Sequence, residues 1–345
     1  GHLCNLAEFP ILQMLYRQGM MIPNHPNNSG IRPRLIGTPE QLAAQLRYIH
    51  RGNYGLISAD EMIKAGASEA EAEELMRIKL KFAFGQISRP EAFVDCHVLE
   101  GEPLDIGNGV SIKRLAHNVF DIRHGDDFVE VDLNLPPHAT YPCPYPLSHV
   151  AVDRHYFAVI HAGDGDGWDF NRPAMGSVLI HQGRVYLIDA GPNIHYSLDA
   201  LGIGKKEVAG IFHTHAHDDH FAGLTNLLQC DKPLQYFATP LVRASVMRKF
   251  CALLSISESE FANYFDICDL KDGEWNDIMG LEVKPTMSPH PVETTVFNFR
   301  VLWEGGYRTY AHLADVASFK VLESMVTADA SAPRLTALAT LARYR

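Results

Sequence analysis

The sequence predicts an α/β fold with a mainly helical N-terminal region. Three observations carry this reading. Hydroxyl-led helix caps cluster in the first hundred residues, strand-like segments dominate from about residue 110, and short helices interleave with those strands. The stretch "DIGNG" at 105–109 is a plausible boundary, giving a mainly helical region over 1–105 and a strand-rich domain over 106–345.

The elements follow in order. "IPNHPNNSGIRPR" is a loop, rich in Pro, Asn and Gly. "TPEQ" from Thr38, "SADE" from Ser58 and "SEAE" from Ser68 each place a hydroxyl where it can cap a free N–H. A Gln or Glu three residues later can reach back. Pro39 suits a first helical position, and Leu42, Leu46 and Ile49 then share one helical face. "VSIKRLAHNVFDIR" and "FVEVDLNL" alternate as strands do. "PPHATYPCPYP" carries five prolines, which remove backbone donors and exclude regular structure. "HYFAVIHAG" is a strand entering a loop, and "GSVLIHQGRVYLIDAG" is two strands around a tight turn at Gln182-Gly183. "SLDALGIG" is a short helix, and "EVAGIFHTH" a buried strand. Residues 240–265 are helical, with a further cap at Ser257. Strands return in "LEVKPTMSPHP", "TTVFNFRVLW" and "YRTYAHLAD".

Composition sets limits on function. The chain has 345 residues, 46% of them hydrophobic, which is enough for a substantial core. No apolar run approaches the roughly 18 residues that span a bilayer, so no membrane association is expected. The N-terminal stretch lacks a basic head followed by a long apolar segment, so no signal peptide is expected. A net charge of -11 repels phosphate backbones and disfavours nucleic acid as a partner. The six cysteines form no C-x-x-C pair and read as free thiols, which points to the cytoplasm.

The chemistry concentrates in "HTHAHDDHFAG", residues 213–223, with four histidines and two aspartates in eight positions. Imidazole and carboxylate together suit zinc, iron or manganese. The run leaves an apolar strand, whose rigid end can aim several side chains at one point. His215 and His217 can meet one ion, and Asp219 and His220 a second beside it. Gly223 lets the following segment approach closely. His213, still on the strand, reads as a packed histidine rather than a ligand.

"THAHDDHFAG" resembles the T-H-x-H-x-D-H-x-G signature of the metallo-β-lactamase superfamily. Three more segments agree in order and spacing over about residues 110 to 320: "VYLIDAG" with Asp189, "SPHPVETTVF" with His290 and "YAHLAD" with Asp315. The N-terminal region carries no such match. The resemblance implies an αββα sandwich with a binuclear metal site at one edge, zinc first, iron or manganese next. It assigns His215, His217 and His290 to one ion and Asp219 and His220 to the other, with Asp315 bridging. Asp189 would orient ligands by hydrogen bonding.

One departure stands out. The superfamily's last motif supplies a histidine to the second ion, and no histidine follows His312 here. Strand alternation puts Tyr310, His312 and Ala314 on one face and Asp315 on the other, so His312 is a poor substitute. Trp168, in the acidic loop "GDGDGWD", and His195 are candidate substrate contacts.

The resemblance implies hydrolysis of an ester-like bond in a small molecule: a phosphodiester, a lactone or a thioester. Two ions can lower the pKa of a water from about 15.7 towards 7, and Asp219 can orient the resulting metal-bound hydroxide. No "GxSxG" elbow competes for the role. Two rivals are an iron-dependent redox protein, of sulfur dioxygenase or di-iron oxygen-binding type, and a non-catalytic metal-dependent sensor. The flavodiiron pattern has Glu where His217 stands, which fits less well. A homo-oligomer is open.

Overall fold

A computed structural model describes residues 22–139, 142–167, 169, 171–228 and 232–328. The chain forms two compact units. One takes the described residues up to His50, with Ser88–Cys143 and Ala252–Ser255. The other takes Arg51–Ile87, Pro144–Cys251 and the described residues from Ile256 onward. This partition runs differently from a cut at residue 105.

In the first unit, β1 (Arg34–Gly37) pairs in parallel with β2 (Asp95–Val98). Four strands, β3 (Leu104–Gly107), β4 (Val110–Ala116), β5 (Val119–His124) and β6 (Asp127–Asp132), form an antiparallel meander. The cap expected at Thr38 is present: Thr38 Oγ1 accepts from Gln41 N–H at 3.3 Å and Gln41 Oε1 from Thr38 N–H at 3.1 Å. Helix α1 (Pro39–Tyr54) follows, its residues from Arg51 onward belonging to the second unit.

The second unit begins with two more capped helices, α2 (Ala59–Lys64) and α3 (Glu69–Phe82). Ser58 and Ser68 accept from the N–H groups of Glu61 and Glu71, as the sequence predicts. Six strands follow in one sheet: β7 (Phe157–Gly163), β8 (Gly176–His181), β9 (Arg184–Ile188), β10 (Val208–Phe212), β11 (Leu234–Ala238) and β12 (Phe265–Asp269). Their order is β12-β11-β10-β9-β8-β7, antiparallel from β7 to β9 and parallel from β9 to β12. The turn at Gln182-Gly183 has φ of 50° and 76°, the left-handed pair that a two-residue hairpin needs. A second, antiparallel sheet holds β13 (Asn276–Ile278), β14 (Leu281–Ser288), β15 (Thr294–Trp303) and β16 (Gly306–His312).

The two sheets pack face to face. Leu179, Tyr186, Phe212 and Phe237 of the larger sheet share one core with Leu281, Val283, Phe297 and Phe299 of the smaller. The Phe212 ring meets Phe299 edge-on at 5.1 Å, a favoured aromatic geometry. Every residue of β8 is buried, so this part of the sheet is covered on both faces, as a sandwich with outer helices requires. The helices of this unit include α4 (Ile194–Ala200), α5 (Asp218–Phe221), α6 (Pro240–Leu254) and α7 (Phe319–Ala328). Among the described residues, no helix is long and apolar enough to cross a membrane. Cys96, Cys143, Cys251 and Cys268 are free thiols, as expected.

Candidate metal centre

The centre gathers where four strands end. Asp189 follows β9, residues 213–220 follow β10, His290 follows β14 and Asp315 follows β16. Asp189 adopts a left-handed backbone with φ 65°, and its carboxylate is buried. Three donors converge on it: Thr214 N–H at 2.7 Å, Thr214 Oγ1 at 2.6 Å and His220 Nδ1 at 2.6 Å.

These bonds settle which imidazole nitrogens can act as ligands. His220 gives its Nδ1 proton to Asp189, so Nε2 is the nitrogen left to face the cluster. The Thr214 hydroxyl spends its proton on Asp189. Its oxygen, 3.0 Å from His215 Nδ1, therefore accepts from that ring, which again leaves Nε2 as the free lone pair. Both Nε2 atoms are buried without a hydrogen-bond partner. A buried lone pair with no donor is costly in an apolar interior, and a bound cation removes that cost.

Two overlapping groups result. His215, His217, His290 and Asp315 bring one ligand atom each within 4.8 Å of one another, and His215, Asp219 and His220 do the same. Asp315 spans both groups. Its Oδ1 lies 3.4 Å from His220 Nε2, and its Oδ2 lies 3.4 Å from His290 Nε2 and 3.8 Å from His215 Nε2. Asp219 Oδ2 is 3.4 Å from His220 Nε2, and His217 Nδ1 is 2.9 Å from His290 Nε2. Tetrahedral ligands at roughly 2.1 Å from zinc stand about 3.4 Å apart, so most of these separations already suit a shared ion.

The electrostatics agree. Burial, reinforced by neighbouring imidazoles, holds His215 and His217 well below the usual histidine range, and burial takes His290 down to about 4. All three are neutral near pH 7, as ligands must be. Burial opposes ionisation of Asp315, but His220, His290 and His217 overcome it and hold the carboxyl below its ordinary range. Burial would also neutralise His220, yet Asp219 and Asp189 pull it well above its ordinary value. Those carboxylates favour a positive charge at Nε2, whether a proton or a metal ion.

Two features of the loop were not anticipated. Lys249 of α6 is fully buried, 2.7 Å from the buried Asp218 and 2.5 Å from the Ala216 carbonyl, which lies between His215 and His217. Its only sequence signal is a lysine inside an apolar helix segment. Thr214 is the other, a link between Asp189 and His215. Gly223 does serve a close approach: a Cβ there would stand 2.1 Å from Gly191 O and 2.7 Å from Ile194 Cγ2.

The remaining candidates separate from the cluster. His195 sits in α4 with its ring 3.9 Å from that of Tyr196, and it belongs to neither group. His213 is buried beside Phe221 and Tyr236. His312 is buried on β16 with Nδ1 3.2 Å from the Tyr310 hydroxyl, and it too lies outside both groups. Trp168 lies outside the described residues.

Four motifs thus meet at one edge of a two-sheet sandwich. This arrangement is similar to that of the metallo-β-lactamase fold. The family described as Anti-Pycsar protein Apyc1 matches residues 158–303, which hold every cluster residue except Asp315. Two curated relatives come from Dictyostelium discoideum. One, a cGMP-dependent 3′,5′-cGMP phosphodiesterase A, is 27% identical over 149 residues, 43% of this chain and 17% of its own length. The other, a cAMP/cGMP-dependent 3′,5′-cAMP/cGMP phosphodiesterase B, is 24% identical over 200 residues, 56% of this chain and 17% of its own length. The match thus spans about a sixth of the length of each. Among solved structures, the short form of human tRNase Z aligns with a TM-score of 0.35 at 19% identity, covering 48% of this chain and 73% of that one.

Proposed function

We propose that the protein is a metal-dependent hydrolase of phosphodiester bonds in small molecules, with 3′,5′-cyclic nucleotides the first substrates to test. The observation that carries the reading is the convergence of His215, His217, His290, Asp219, His220 and Asp315, with the tautomers of His215 and His220 set by Thr214 and Asp189. Among ester-like bonds, the phosphodiester is favoured by the names of the relatives. The net charge of -11 favours a small substrate over a nucleic-acid polymer.

His215, His217 and His290 would hold one divalent cation, Asp219 and His220 a second, and Asp315 both. Zinc suits these nitrogen and carboxylate donors, and iron or manganese would use the same atoms. When bound, the cations supply the Lewis acidity that makes hydroxide available near neutral pH. Asp219 would orient that hydroxide. Asp189 keeps His220 from turning, and Thr214 does the same for His215.

The test is metal analysis of purified protein together with hydrolysis of 3′,5′-cGMP, 3′,5′-cAMP, a lactone and a thioester. Zinc or manganese with turnover of a cyclic nucleotide supports the reading. Iron with a visible absorption band and no hydrolysis overturns it, as does hydrolysis confined to the lactone or thioester.

A further inference from the structure

The second unit contains a cavity of about 290 Å³ whose lining includes His290. Its walls combine apolar side chains from distant stretches, Met62 of α2, Leu75 and Ile78 of α3, Leu241 of α6 and Met287 of β14, with charged and polar ones such as Asp269, Lys271 and Thr294. Charged groups in the lining are paired. Lys79 Nζ contacts Glu293 Oε1 at 2.8 Å and the Pro291 carbonyl at 3.0 Å, and it also reaches the Tyr54 carbonyl. Glu293 Oε2 accepts the Leu56 N–H at 3.0 Å, and both side chains of this pair are about 5% exposed or less. The cavity therefore offers no unpaired buried charge to a ligand. It does offer hydroxyls: Thr294 donates to the Val292 carbonyl at 3.0 Å, which leaves its oxygen free to accept.

The cavity is tied to the centre through one short segment. Pro291 and Glu293 follow His290 directly, and Lys79 grips both. The α2–α3 hairpin is in turn packed on Leu241 and Ala244 of α6 and on Met287. One wall of the cavity thus comes from residues 62–79, outside the segment that the Apyc1 family matches, and the rest from residues 239–295, within it.

We infer that this cavity is a subsite for the heteroaromatic base of a nucleotide phosphodiester whose phosphate lies at the His/Asp cluster. The inference rests on the phosphodiesterase reading. The volume sits at the lower end for small-molecule sites, roughly 300 Å³. Two methionine thioethers give favourable contacts to an aromatic ring. A free hydroxyl acceptor suits the N–H edge of a base and would be desolvated without return by an acyl chain.

A matched pair of substrates tests it: thymidine 5′-(p-nitrophenyl phosphate) and methyl p-nitrophenyl phosphate, which share a leaving group and differ in the nucleoside. Wild-type protein should favour the nucleoside ester by about tenfold or more in kcat/KM, chiefly through KM. Ala65, just after α2, also lines the cavity; Ala65→Phe, or Leu241→Trp if the first does not fold, narrows it and should bring the ratio towards one. The methyl ester rate should stay within about twofold. Calorimetry with thymidine 5′-monophosphate against inorganic phosphate gives a second readout, and only the nucleotide should weaken in the variants. Equal rates for the two esters, or variants that keep the full preference and the full nucleotide affinity, overturn the subsite and leave the phosphodiesterase reading standing. If neither ester nor 3′,5′-cGMP is hydrolysed, the phosphodiesterase reading falls, and nucleotide affinity equal to that of phosphate removes the subsite as well.

Discussion

Replacing Lys249 with Met isolates the least visible support of the metal loop. Lys249 and Asp218 are both fully buried, with Nζ 2.7 Å from the carboxylate. The ammonium also holds the Ala216 carbonyl at 2.5 Å and lies 4.7 Å from the centre of the Phe221 ring. Met keeps much of the side-chain volume but strands the Asp218 charge inside the protein. Breaking such a buried pair costs about 3–5 kcal/mol. At about 2–4 °C per kcal/mol for a domain of this size class, the melting temperature should fall by about 6–20 °C. The Ala216 carbonyl sits between two proposed ligands, so zinc affinity should weaken as well. Thermal melts with and without zinc, plus zinc titration at a temperature where the variant is folded, measure both effects. Asp218→Asn/Lys249→Met removes the stranded charge and should recover at least half of the lost stability. A single variant that melts with the wild type, or a double variant that loses the sum of the two single losses, would refute the reasoning.

Other outcomes follow from the same geometry. Gly223→Ala should disrupt the loop, because its Cβ would stand 2.1 Å from the Gly191 carbonyl. Destabilisation of at least about 1–3 kcal/mol in urea melts is expected. Asp189→Asn replaces an acceptor of three hydrogen bonds with an amide and frees the tautomers of His215 and His220. Metal affinity should drop about 10–100-fold by competitive chelator titration. Acid should destabilise the metal-free protein. His213, His290 and His312 are drawn down to about 4, first by burial, whereas unfolded histidines titrate near 6.5. The unfolded chain thus binds more protons between those values. The full contribution is present above about pH 6.5 and is lost towards pH 4, at up to about 1.4 kcal/mol per pH unit per histidine. His220, raised by Asp219 and Asp189, acts in the opposite sense. Urea midpoints that rise from pH 6.5 to pH 5 would contradict this balance. On stepwise chelation one ion should leave first, because among the described residues three imidazoles, His215, His217 and His290, gather in one group, whereas the other has only two, His215 and His220, with Asp219. Simultaneous loss of both ions would argue against that asymmetry.

Much of the centre was legible because its residues are local in sequence. "HTHAHDDHFAG" needs only a strand end to bring His215, His217, Asp219 and His220 together, and β10 provides it. The Ser68 cap and the Gln182-Gly183 turn were equally readable, since each is set by a few adjacent residues. Less visible were β11 and β12, five residues each and lying in the parallel part of the sheet, where no hairpin turn announces a strand. Alternation was a poor guide beyond His312. Tyr310 and His312 do share a face, but Ala314 turns into the left-handed region with φ 48°, which breaks the phase before Asp315. Lys249 with Asp218 and Lys79 with Glu293 are pairs between distant segments, so neither has a local pattern. Placing residues 51–87 with the metal-bearing unit likewise depended on packing against α6 and β14, which periodicity does not reveal.

Hydrolysis by this protein would require that the His/Asp cluster hold the cations. The most direct test is bound metal and 3′,5′-cGMP turnover measured on the same preparations of wild-type protein, His215→Ala and Asp315→Asn. His215 belongs to both groups and Asp315 spans them, so each variant should bind less metal and lose at least about a hundredfold in kcat/KM while remaining folded. Wild-type metal content and turnover in folded His215→Ala would contradict it.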